Sequence, residues 1–350
     1  MSVPKVVMFT DRFDLDVDAV ILRLRELGVF PTRVVFDDIP AAADFSLSIE
    51  GPRWTGKLRT RNRSIELREV GSILWRKPGG VRLTERPSVA QQLIWAEVER
   101  GLAELPSFAD CHWMNAPLPT RQARQPLGQL KRAADLGFEV PRTIVTSVPD
   151  QAKAFFESCQ RRMILKPLGD TTIAGGEAAA PHGKTVDARL GPSLVQEAHL
   201  QNHLAEIAST PCLLQELVSK KAEWRVTIVG DDLFVAQIES ETTLRPPADR
   251  WKKDAPIVVR KGTLPPGIET RCVALAKGMG LDFCTIDLLL TPDDRLVFAD
   301  CNPQGQFVFL EARAPELRIT HAVAARLLDR ASAGGATDRA SSTAATTRAS

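Results

Sequence analysis

The stretch Leu281–Gly305 (LDFCTIDLLLTPDDRLVFADCNPQG) constrains the fold more than any other part of the chain. Two β-rich runs, Phe283–Leu290 and Leu296–Cys301, flank the turn-forming Thr291-Pro292-Asp293-Asp294, so the segment reads as a hairpin. A turn centred between Asp293 and Asp294 puts Asp287 opposite Asp300, with β-carbons about 4.5–5.5 Å apart. Asn302 lies two residues further on the same face. Opposed like charges destabilise a sheet unless something neutralises them. A divalent cation would do so, and two carboxylates with an amide oxygen are hard ligands suited to magnesium. Magnesium held by so few protein groups is completed by phosphates, which reads as an ATP site. A one-residue slip in register would instead place the aspartates on opposite faces, one of them in solvent.

At 350 residues the chain has room for two or more domains, each with its own core. Its 44% hydrophobic and 25% charged residues are those of an ordinary soluble globular protein. A net charge of +2 gives no global field pointing to nucleic acid or a membrane surface. No apolar run approaches the roughly 20 residues of a bilayer span, and the N-terminus lacks a signal-peptide pattern. The six cysteines are scattered without metal-site spacing, which predicts buried free thiols in a cytoplasmic protein.

Strands and helices alternate at the start. Lys5–Thr10, Arg33–Phe36 and Ser72–Trp75 read as strands, Val17–Leu27 and Gln91–Leu105 as helices, and 45–60 as a hairpin. The turn after the first strand, Asp11-Arg12-Phe13-Asp14, has no glycine fingerprint, which disfavours a dinucleotide fold. Pro117–Arg124 reads as a loop, Leu127–Leu136 as a helix, Arg142–Thr146 as a strand, Gln151–Cys159 as a helix and Met163–Pro167 as a strand. A polar, glycine-bearing loop, Gly169–Gly176, follows. Ser193–Ala208 looks helical, and Cys212–Val218, Glu223–Val229 and Leu233–Glu239 look like strands. Glu241–Gly267 reads as a long surface segment, and 331–350 as a disordered tail too poor in apolar residues for a core. The expected division is 1–120, 121–210 and 211–330, an α/β fold turning α+β in its C-terminal half.

Several side chains could carry chemistry. Lys166, inside the apolar strand MILKPL, is costly unless paired or bound to an anion such as phosphate; an edge lysine reaching water is the competing reading. Gln215, Glu216, Leu217 and Val218 end a strand whose edge could pair with adenine, the carboxylate holding ribose hydroxyls. Arg225 could steady a developing oxyanion with its fixed donor fork, or merely pair with Glu223. His199 and His203 have zinc-pair spacing without a third ligand, so a solvated helix face is expected. Trp75-Arg76-Lys77 could touch a ligand or anchor the core. Arg245, Arg250, Lys252 and Lys253 form a basic loop that could receive an acidic substrate, or simply be solvated.

Taken in order, ILKPL, LLQELV, AEWRVTIVGDDLFVAQIES, LDFCTIDLLL and VFADCNPQGQFVFLE resemble an ATP-grasp ligase. More narrowly they resemble the microviridin-type (graspetide) peptide ligases, and ILWRKP with WMNAPLPTRQARQPLGQLKRAADLGFEVPRTIVT extends the resemblance into the N-terminal domain. It implies an ATP-grasp fold with an N-terminal α/β pre-ATP-grasp domain. It implies ATP bound by Lys166 and by the Gln215–Val218 edge, Mg2+ held by Asp287, Asp300 and Asn302, and Arg225 beside the reacting acyl group. The implied partner is a ribosomal precursor peptide, leader plus core. Its Asp or Glu side chains would be activated as acylphosphates and closed onto Ser/Thr or Lys, with self-association into a homodimer left open. The helix 193–208, carrying Glu197 and His199, would receive the leader. Arg124 stands where the family has a lysine, Asp300 where it commonly has glutamate, and Asp249-Arg250-Trp251-Lys252 where it has Asp-Trp-Arg. A ligase for small molecules or a protein tail, and a non-catalytic nucleotide-binding regulator, are the rival readings.

Overall fold

The computed structural model describes residues 5–39, 42–76, 88–169, 172–173, 188–189, 192–240, 257–329 and 331. The N-terminal strands Lys5–Thr10, Thr32–Val35, Val70–Trp75 and His112–Met114 form one parallel sheet, with Lys5–Thr10 and Val70–Trp75 at its centre. Helix Leu15–Glu26 begins where Asp14 caps it, its carboxylate accepting from the amides of Asp16 and Val17. Val17, Val20 and Leu24, at helical spacing, bury its inner face. The expected hairpin is present as Ala43–Glu50 and Arg53–Thr60, and a third strand, Arg63–Glu66, continues it.

A four-stranded antiparallel sheet follows, in the order Ser193–Val195, Met163–Lys166, Cys212–Glu216, Thr143–Thr146. The last sheet has five antiparallel strands, in the order Ile257–Lys261, Asp232–Ser240, Ala222–Val229, Phe283–Leu290, Leu296–Asn302. The alternating strands of this sheet bury Val226, Ile228, Cys284, Ile286, Leu288 and Phe298 in one core with Leu130, Ala133 and Phe138. A second core joins Val6 and Met8 of the first sheet to Val229, Phe283 and Phe307. Both cores draw on residues from more than one of the segments expected from the sequence.

Three expectations need correction. Pro117–Ala123 is a short helix, not a loop, because Pro117 at its first position lacks only an amide the helix does not use. The segment after Gly191 opens with the strand Ser193–Val195, and helix proper runs only over Glu197–His203. Within the supposed surface segment, Ile257–Lys261 is an edge strand of the five-stranded sheet. All six cysteines are free, but only Cys159, Cys272, Cys284 and Cys301 are buried as expected, Cys111 and Cys212 being half-buried. No helix among the described residues is long and apolar enough to cross a membrane.

Candidate active site

The hairpin Phe283–Asn302 pairs Asp287 with Asp300 and Thr285 with Asn302, the arrangement the sequence predicts. It gets there by two offsetting departures. Leu290 pairs with Leu296, so the turn is centred on Asp293, half a residue earlier than expected. A bulge at Ala299 then inserts one residue and restores the register at the carboxylates.

The neighbouring strand sets Arg225 against Asp287 on the other side. Arg225, 8% exposed, grips Asp287 with both arms, Nε to Oδ1 at 2.7 Å and Nη2 to Oδ2 at 2.8 Å. Its Nη1 donates to the Gln306 carbonyl at 3.4 Å, and the group lies 5.6 Å from the Phe309 ring centre. Burial works against its charge, but Asp287 more than offsets this and its pKa is raised. Opposed aspartates do require neutralisation here, yet protein cations already supply it, so the pairing alone does not demand a metal.

Lys166 supplies the second cation. From the four-stranded antiparallel sheet its Nζ reaches across to the Ala299 carbonyl of the bulge, at 3.4 Å. Burial pushes this ammonium down, while Asp300 and Asp287 pull it back up. Asp300 faces the cleft, where it is enclosed by Lys166, Asp287 and Arg225. That enclosure raises its carboxyl, with Lys166 the main opposing influence. The two sheets thus face each other across Lys166, Asp300, Asp287 and Arg225.

The donor set fits a magnesium ion. Two carboxylates and an amide are all hard oxygen ligands, and they are few enough to leave places for phosphates and water. Asn302 Oδ1 accepts from Gln304 N at 2.9 Å, which orients the amide and leaves a lone pair. No group of three or more His, Cys, Asp or Glu side chains suited to a metal forms among the described residues.

The nucleotide edge is partly committed. Gln215 is buried and donates to Thr143 Oγ1 at 2.9 Å, so its side chain serves the sheet. The amides of Glu216 and Leu217 donate to Arg142 O and Arg162 O, both at 2.9 Å. Glu216 and Val218 are half-buried at the end of this strand. Arg124 donates to Gln304 Oε1, just after strand Leu296–Asn302. Of the glycine-bearing loop only Gly169, Thr172 and Ile173 are described, the last two paired with Ala188–Arg189 as a ribbon.

Other candidates stand apart. His199 is exposed, its Nδ1 accepting from Gln196 N at 3.2 Å, and His203, also exposed, meets Glu206 at 2.8 Å, so both sit on a solvated helix face. Glu197 pairs with Arg161 at 3.0 Å on the same surface. Arg245, Arg250, Lys252 and Lys253 lie outside the described residues, as do Asp249, Trp251 and Lys77. Arg76 proves to be a core anchor. It is 3% exposed, paired with Asp14 at 3.2 Å and with Asp16, and donates to Gly305 O at 2.7 Å.

Sequence reasoning overlooked the groups that hold the loop after Asn302. Asn115 Nδ2 donates to Phe283 O and Pro303 O at 2.7 and 3.0 Å, and its Oδ1 accepts from Asp282 N and Phe283 N. Gln129 bonds both backbone groups of Cys301. For Asn115 the signal available was a polar amide in the otherwise apolar run Trp113–Leu118; Gln129, beside Lys131 and Arg132, carried none.

No protein-family model matches the chain, and no curated protein sequence matches it. Solved structures do. The macrocyclase MdnC bound with precursor peptide MdnA, from Microcystis aeruginosa MRC, superposes with a TM-score of 0.80 at 24% identity, covering 93% of this chain and 99% of that one. A Chryseobacterium gregarium RiPP-associated ATP-grasp ligase, in complex with ADP and a leader and core peptide, gives 0.77 at 24% identity over 93% and 97%. The ATP-grasp ligase PsnB, complexed with a phosphomimetic variant of minimal precursor, Mg and ADP, gives 0.72 at 19% identity over 93% and 98%. The chain has the ATP-grasp fold over nearly its whole length.

Proposed function

We propose that this chain is a cytoplasmic, ATP-dependent peptide ligase that activates Asp or Glu side chains of a ribosomal precursor peptide and closes them into macrocycles. The observation that carries this reading is the cluster of Arg225, Asp287 and Asp300 facing Lys166 across two sheets. The fold is shared with structures that hold ADP, magnesium and precursor peptides, which supports the same classes of ligand here.

In this reading Lys166 holds the phosphates, and Glu216 with the Val218 peptide holds the adenosine. Asp287, Asp300 and Asn302 would hold magnesium, which neutralises phosphate charge. Lys166, whose charge is costly without an anion, gains most when phosphate arrives. A peptide carboxylate oxygen attacks the γ-phosphorus, and ADP leaves. A side-chain hydroxyl or amine then attacks the acyl carbon, giving an ω-ester (Ser/Thr) or ω-amide (Lys), and phosphate departs with the nucleophile's proton. We assign to Arg225, through the Nη1 arm not given to Asp287, the stabilisation of the oxygen that becomes negative at that carbon. The exposed helix Glu197–His203, with Glu197 and His199, is the surface we assign to the leader.

Transfer of 18O tests the reading. Peptide labelled in its side-chain carboxylates should deliver one label into inorganic phosphate for each bond formed. Phosphate carrying no label would rule out carboxylate activation.

A further inference from the structure

Helix Pro126–Asp135 sends Gln129, 4% exposed, against the outer edge of strand Leu296–Asn302. Its Oε1 accepts from Cys301 N at 2.9 Å, and its Nε2 donates to Cys301 O at 2.8 Å and to Ala123 O at 2.5 Å. The amide offers Cys301 the donor and acceptor that a neighbouring strand would, and both of its N–H groups are used.

The bulge gives this grip its meaning. Before it, the outward amide of the strand is Phe298 N, which donates to Glu139 O at 2.8 Å. In an unbroken strand the next outward amide would be two residues on, at Asp300. The extra residue at Ala299 moves it to Cys301, where Gln129 waits. The same shift puts Phe298 and Cys301 into one core and turns Asp300 and Asn302 toward the cleft. A slip of one residue would reverse those faces.

We infer that Gln129 is a positioning residue: by holding Cys301 between Asp300 and Asn302, it locks the register that aims both oxygens at the metal. The inference rests on the proposed magnesium ligands. It is tested on the full chain by Mn2+ binding in the presence of ADP, followed by electron paramagnetic resonance, and by amide hydrogen exchange.

Gln129→Met, similar in volume but without hydrogen bonds, should weaken Mn2+ binding about ten- to a hundredfold, as loss of a group orienting a ligand does. Exchange should accelerate over 299–302 while Phe283–Leu290 stays protected. Leu130→Ala, on the same helix, should lower stability yet leave Mn2+ affinity within about twofold, which separates positioning from general loosening. Should the methionine variant not fold, Gln129→Glu keeps the acceptor for Cys301 N, loses both donors, and should still weaken binding. Wild-type Mn2+ affinity in the Gln129 variants, alongside its loss in Asp300→Asn, would show that Gln129 only packs. Unchanged affinity in Asp300→Asn would remove the metal assignment, and the inference with it.

Discussion

Asp16 Oδ1 accepts the amide of Phe307 at 2.9 Å across 291 residues of chain, and that of Val308 at 2.8 Å. Its other oxygen pairs with Arg76, which also reaches Asp14 and the Gly305 carbonyl. The first helix thereby grips the loop that follows the candidate metal strand. Asn115 holds Pro303, Arg124 holds Gln304 and Arg225 meets Gln306, so the loop is tethered at nearly every residue. This loop has no regular structure of its own, and side chains from elsewhere give it one shape.

Arg76→Met leaves two buried carboxylates without their cation. Breaking a buried ion pair by removing one partner costs about 3–5 kcal/mol. Chemical denaturation should show a loss of that size, far above that of an exposed pair such as Lys131–Asp135.

Arg225→Met should be destabilising in the same way, because it strands Asp287 opposite Asp300. Adding Asp287→Leu removes the uncompensated charge and should recover most of the loss, although neither variant turns over. A double variant no more stable than Arg225→Met would show that the pair is not the source of the cost.

Asp300→Ala and Asn302→Ala should each lower turnover by about a hundredfold or more, while melting stays cooperative. Both side chains face the cleft, so the core does not depend on them. Full activity in either variant contradicts the ligand assignment.

Asp282 predicts a pH signature. Burial raises its carboxyl, but hydrogen bonds from His112 and Arg326 prevail and bring it from 3.8 to about 2. A depressed folded pKa adds stability above the unfolded value and loses it as pH falls through the folded one. Asp282→Asn should therefore be less stable by about 2 kcal/mol at pH 6, from about 1.4 kcal/mol per unit. The gap should close between pH 4 and 2, and a gap that ignores pH would contradict the account.

Gly305 lies against Thr285. A Cβ built there would fall 2.6 Å from Thr285 Cβ, closer than real carbons approach. Gly305→Ala should cost about 1–3 kcal/mol, the scale of core overpacking. Thr285→Ala leaves that carbon in place and should not rescue it, whereas Thr285→Gly should.

The hairpin and its carboxylates were legible because period-2 burial and turn residues act locally. The pairing came out right although the turn is centred on Asp293, since the Ala299 bulge, which carries no local signal, made up the difference. Arg225 was readable as an arginine near the site, but its grip on Asp287 depends on register between strands 62 residues apart. Asn115 and Gln129 reach partners some 170 positions away, and no periodicity encodes such a distance. The helix at Pro117 was missed because proline punctuates loops and opens helices with equal ease.

The central claim is tested most directly by the intact mass of a candidate precursor peptide, one encoded beside this gene, after incubation with the protein, ATP and Mg2+. The account predicts a loss of one water for each crosslink, requiring both ATP and the leader segment, with one ADP formed per water lost. An unchanged peptide mass while ATP is consumed would contradict it and point to a ligase for another acceptor.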